Sequence, residues 1–247
     1  MKNTKKREGY LEIYYFWRRF SSIQFKTMKT IYQYGQYWKH LNQSRHRKGH
    51  GVHSPFVFDL ITNVVEENNP YYCYDNIESS LQEKYRHSDA NNTLSPEYAR
   101  LLFRLLYFWK PDCSKSFGLS DDVRAKKYVE AALKAIEGCK CEDDEVSDAQ
   151  CHPQSKQHRV LLWNAASFHS DELESSFECV NKQLKKNHED GVQTMLIVLH
   201  PYLNPTAAKC WTHCVSDKEI ALCLDCFGLA FAVDAPFLPF FRSKLSV

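Results

Sequence analysis

Two apolar runs stand out because no polar residue interrupts them: VLLW at 160–163 and MLIVL at 195–199. Runs of this length between polar segments suit strands buried on both faces of a parallel sheet, and predict strands over 159–165 and 193–199. Around them the apolar period lengthens to three and four. SPEYARLLFRLLYFWK (95–110) lines up Tyr98, Leu101, Leu102, Leu105 and Leu106 on one helical face, opened by Ser95-Pro96 and stopped by Lys110-Pro111. Helices are also predicted over 121–138, 170–187 and 206–216. A further helix over 55–67 has Ser54 as candidate N-cap and Pro55 as its first residue. A short strand is predicted at 113–120, a turn at 200–205, and a strand or hairpin in EIALCLDCFGLAFAV (219–233). Residues 71–95 read as a connection, and 139–158, polar and acidic without a core pattern, as a loop. Strand–helix alternation closed by a hairpin is the pattern of an α/β parallel sheet. Ligands of such sheets sit at the carboxyl ends of the strands. Those ends are here Gly118–Ser120, Asn164–Ser167 and Leu199–Tyr202.

Ahead of this alternation lies a different kind of sequence. Residues 8–42 hold eleven aromatics and read as one long or two shorter helices. The next segment, SRHRKGHGVHSP (44–55), reads either as a nucleic-acid-contacting loop or as a basic loop wedged between helices. The chain thus divides into a basic aromatic arm (1–50), a helical cap and connection (51–95), and an α/β core (96–247). Charge sharpens the division. The net charge is only +2, yet residues 1–50 carry 12 Lys/Arg against 2 acids, and the rest 20 against 28. The arm's basic residues are spread around the helix, which favours docking on the body, on a twin subunit or on a protein partner over a membrane or nucleic-acid surface. The opposing acidic body and the lack of a stacking motif also count against nucleic acid.

At 247 residues with 43% hydrophobic positions, the chain is long enough for a full core. It shows no secretory pattern, and its longest apolar runs fall far short of the ~18–20 residues of a membrane span. The expected location is the cytoplasm. Ten cysteines without regular spacing fit reduced thiols better than a disulfide framework. Two clusters have ligand types that zinc takes: Cys139, Cys141, Cys151 and His152, and Cys210, His213, Cys214, Cys223 and Cys226. In a strand Cys223 and Cys226 would face opposite ways, so core thiols are expected and no metal.

GHGVHSPFVFDLITNVV (49–65) resembles the opening motif of a class I S-adenosylmethionine-dependent methyltransferase-like family common in Bacteroidetes, and LLFRLLYFWKP (101–111) resembles that family's helix before its first strand. Ser116-Phe117-Gly118-Leu119-Ser120-Asp121-Asp122 stands where the family has E-L-G-T-S-x-G, and Asn164-Ala165-Ala166-Ser167 where it has D-G-N-H. Its D-D-I-H-W-S corresponds to Leu199–Asn204, and its I-D-x-F-x-x-G to the segment ending in Gly228. The resemblance runs from about residue 45 to the end and implies a Rossmann-like, methyltransferase-type sheet, here shortened, behind an N-terminal helical extension. It implies Gly118, Ser120 and Asn164 as contacts for S-adenosylmethionine and, in an active enzyme, His169 or His200 as general base. The departures fall where the chemistry lies. Ser116 replaces the acid of the first strand and Asp122 the second glycine. The second and third strands, with the ribose-binding acid, would have to fit within 138–158, where Glu142, Asp143 and Asp144 are the candidates. The paired later acids are Leu199 and His200, a poor magnesium site. With eight glycines against a usual ~7% share, few turns remain that could cradle a ligand. An eroded cofactor site retained as a binding or assembly module is the preferred expectation, with an active methyltransferase of a small molecule as the alternative.

Overall fold

The structure, a computed structural model, describes Gly35 and residues 55–67, 69–85, 93–136, 140–142, 158–169, 171–215, 220–223, 228–234 and 243–246. Of the calls above, the arm (Gly35 apart), Ser54, the 44–54 loop, Asp143, Asp144, and Cys139, Cys151, His152 and Cys226 lie outside these residues.

Among the described residues from 55 onward, three α-helices precede the first strand. α1 (Pro55–Leu60) begins at the predicted Pro55 but widens into a π-helical turn over Ile61–Val65, closed by Glu66 N–H donating to the Ile61 carbonyl at 2.9 Å. α2 (Cys73–Tyr85) occupies what was expected to be a connection. α3 (Pro96–Trp109) follows the reading closely. The Ser95 hydroxyl accepts from Tyr98 N–H, and Lys110, at φ 48°, turns the chain into the left-handed region before Pro111.

Seven strands then form one sheet in the order β2-β1-β3-β4-β6-β5-β7. They are β1 (Cys113–Phe117), β2 (Lys140–Glu142), β3 (His158–Asn164), β4 (Gln193–Leu199), β5 (Ile220–Cys223), β6 (Leu229–Asp234) and β7 (Ser243–Ser246). β2, β1, β3 and β4 run parallel. β6 enters antiparallel between β4 and β5, so the last segments make the expected hairpin. The loop expected over 139–158 contains β2, whose three residues pair with Cys113–Lys115. Among the described residues β2 is the one strand beyond β1. The sheet is Rossmann-like and short on that side.

Helices α4 (Val123–Lys134), α5 (Leu173–Glu189) and α6 (Pro205–Val215) complete the alternation. α4 starts at Val123 because Asp122 caps it, two residues later than expected. Period-two alternation divides β3 and β4 between two cores. Val160, Leu162, Met195 and Ile197 meet the helices before β1 and α4, whereas Leu161, Trp163, Leu196 and Val198 meet α5 and α6. Burial on both faces explains the unbroken apolar runs. No described helix is long and apolar enough to cross a membrane.

Candidate functional site

Parallel strands β1, β3 and β4 end side by side, with Phe117 paired to Trp163 and Asn164 to Leu199. This crest is where the fold would present a ligand site. Gly118 follows β1 at φ 71°, a conformation that a side chain would strain. Its carbonyl accepts two bonds from the end of β3: Ser167 Oγ at 2.5 Å and Asn164 Nδ2 at 3.2 Å. Asn164, 2% exposed, also donates to Ser167 Oγ at 2.9 Å and accepts from Ala166 N–H at 3.1 Å. This last bond caps the single 3-10 turn of Ala165–Ser167. A Cβ on Gly118 would lie 2.8 Å from Phe168 Cε2 and 2.9 Å from Ser167 Cβ. The close approach that glycine permits is therefore taken by the chain's own Phe168 and Ser167.

The next turn is filled as well. Asp122, fully buried, accepts Ala125 N–H on Oδ1 at 2.9 Å and Leu94 N–H on Oδ2 at 2.7 Å. The first bond caps α4. The second ties down the chain just ahead of the Ser95 cap of α3. Arg124 Nη1 donates to the Leu94 carbonyl at 2.9 Å, so acid and base grip both sides of that stretch. Arg124 also pairs with Glu78 of α2 at 3.4 Å, and Tyr128 donates to Glu78 at 3.0 Å. Burial, with Glu78 beside it, pushes the Tyr128 phenol well above its ordinary value. A helix N-terminus attracts anions through its exposed N–H groups and dipole. Here a buried carboxylate already occupies that place.

Of the expected contacts, Gly118 and Asn164 are brought together, but they bond to each other. Ser120 is exposed beyond the turn. Ser116 is a buried strand residue, 8% exposed. His169 is exposed, and its carbonyl accepts from Glu172 and Leu173 N–H at 3.0 and 3.1 Å where α5 begins. His200 sits at φ 57° at the end of β4. Its N–H donates to the Gly228 carbonyl at 2.9 Å and its carbonyl accepts from Leu203 N–H at 3.0 Å, so its backbone builds the turn. Gly228 has no room for a side chain because the ring of Tyr98, from α3, lies directly on it. Glu142 ends β2, opposite Lys115 of β1. That end is where the resemblance would put the ribose acid, in a segment read as loop.

Among the described residues no three His, Cys, Asp or Glu side chains are grouped to hold a metal. Cys210 and Cys214 are buried and without disulfides in the α6 core, and burial raises the Cys210 thiol above its ordinary value. The turn after β1 thus has Phe168 and Ser167 on the Cβ side of Gly118 and Asp122 as an internal cap of α4. Phe168 was missed by sequence reasoning; an aromatic directly after the Asn164–Ser167 turn was the available signal. The chain matches no protein-family model and no curated protein.

Proposed function

We propose that the protein is a divergent class I methyltransferase-like protein of the cytoplasm whose cofactor turn has been converted to internal structure. On this reading it works as a non-catalytic binding or assembly module. One observation carries the reading: the space beside the left-handed Gly118, the residue that would let a cofactor touch backbone, is filled on its Cβ side by Phe168 and Ser167 of the same chain. Asp122 reinforces it, since a buried carboxylate with two short bonds stands where a second glycine would be needed. A covered turn costs any incoming ligand the contacts it must displace, including the 2.5 Å bond from Ser167 to Gly118.

The alternative, an active methyltransferase, is favoured by the placement of Glu142 at the carboxyl end of β2. Calorimetric titration of the full chain with S-adenosylmethionine separates the two. The proposed function expects no binding heat, and micromolar binding would refute it.

A further inference from the structure

The described surface has three exposed large hydrophobic residues, and all belong to the helices that precede β1: Phe58 on α1 (45% exposed), Tyr72 just before α2 (103%) and Tyr107 on α3 (40%). Tyr107 stacks on Phe103 at 6.1 Å and meets the Tyr71 ring edge-on at 6.1 Å. Tyr71 donates to Glu67 at 3.5 Å, and Asn69 holds the other oxygen of that carboxylate at 3.1 Å. Glu66, next to it, is exposed. Tyrosine faces beside carboxylates form a surface chemically suited to Lys and Arg, through cation–π contact and charge-assisted hydrogen bonds. Of the bases beside it, Arg104 donates through Nε to the Val64 carbonyl at 2.8 Å, and Arg100 lies over the Tyr74 ring at 5.5 Å.

Charge along the sequence says what belongs there. From residue 55 to 83 the chain has six acids, Asp59, Glu66, Glu67, Asp75, Glu78 and Glu83, and no Lys or Arg. Immediately before it, residues 1–50 have 12 Lys/Arg, 2 acids and eleven aromatics. The basic segment is joined to the acidic cap at Pro55, the start of α1, which keeps its effective concentration at the cap high. We propose that the exposed tyrosine–glutamate face of the cap is the docking surface for the chain's own residues 1–50. Cation–π and ion-pair contacts made in cis would cover Tyr72 and Tyr107 and neutralise the two opposite charges. Cofactor binding plays no part in this contact.

The test is zero-length carbodiimide cross-linking of the full chain, which joins a lysine amine to a carboxylate as an amide with loss of water. It is run on an equal mixture of isotopically light and heavy protein and read by mass spectrometry. Links from Lys26, Lys29 or Lys39 to Glu66, Glu67 or Asp75 are expected within one chain. Their yield should fall several-fold in the surface variant Tyr72→Ala/Tyr107→Ala, whose circular dichroism should match the parent. Light–heavy links would make a second copy the occupant and overturn docking in cis. Links directed instead to Glu174, Glu178 or Glu189 of α5, no links, or a yield indifferent to the tyrosines would overturn the surface.

Discussion

Replacing Asp122 by glycine introduces the residue that a cofactor-binding turn would carry, and so tests whether this turn is held together by the aspartate. In the structure Asp122 has no exposed surface and accepts two backbone bonds, from Ala125 at 2.9 Å and Leu94 at 2.7 Å. Loss of the cap alone costs only a few tenths of a kcal/mol when glycine is the replacement, and about 1 kcal/mol for alanine. The Leu94 N–H is the larger matter. Leu94 is fully buried, and a buried donor left without its acceptor costs about 1–3 kcal/mol. The expected losses are therefore about 1–3 kcal/mol for Asp122→Gly and about 2–4 kcal/mol for Asp122→Ala. At ~2–4 °C per kcal/mol for a chain of this size, Asp122→Gly should lower the thermal midpoint by roughly 2–12 °C. Chemical denaturation followed by far-ultraviolet circular dichroism, with thermal scans alongside, gives both numbers. An Asp122→Gly protein as stable as the parent, or one that gains affinity for S-adenosylmethionine, would refute the reasoning.

Four further outcomes are expected. Gly118→Ala should cost about 2–4 kcal/mol, from left-handed strain and the clash with Phe168 and Ser167. A Gly118→Ala/Phe168→Ala double mutant should recover part of the clash, read as a non-zero coupling in a denaturation cycle. Gly228→Ala should lose about 1–3 kcal/mol by driving a methyl group into the Tyr98 ring, and Tyr98→Ala in the same background should relieve that clash, with a coupling of the same sign as in the Gly118/Phe168 cycle. His200→Gly should keep or raise stability by removing left-handed strain of about 1 kcal/mol, whereas His200→Val should lower it, both measured by thermal unfolding. The Tyr74 phenol is pushed from 10.0 up to about 12 by burial, against a smaller opposing pull from Arg104. A raised folded value means the stabilising contribution is intact below pH 10 and is lost as pH rises through about 12. Stability measured across that window should fall more steeply in the parent than in Tyr74→Phe.

The legible parts of the fold were those with a single physical cause. β3 and β4 were read almost to the residue because burial on both faces leaves no polar position in VLLW and MLIVL. α3 was read because Ser95, Pro96 and the Leu101–Leu106 stripe agree on its start and buried face. β2 escaped because Lys140–Glu142 has no apolar pattern; pairing with β1 alone makes it a strand. α2 reads as a connection in the sequence although Tyr74, Ile77 and Leu81 recur at helical spacing, since polar residues between them hide the stripe. Its position depends on Glu78 meeting Arg124 and Tyr128, a contact forty-six to fifty residues away that local pattern cannot reveal. The crest was half legible. Gly118 and Asn164 could be picked out, but not that Asn164 and Ser167 would turn back onto the Gly118 carbonyl with Phe168 above it.

The claim that the β1 turn is closed is tested most directly by the thermal midpoint of the full chain with and without S-adenosylmethionine. A native-state ligand at a hundred times its Kd stabilises by about 2.7 kcal/mol, which in a chain of this size raises the midpoint by roughly 5–10 °C. The account predicts no shift at millimolar cofactor. A rise of that size would contradict it.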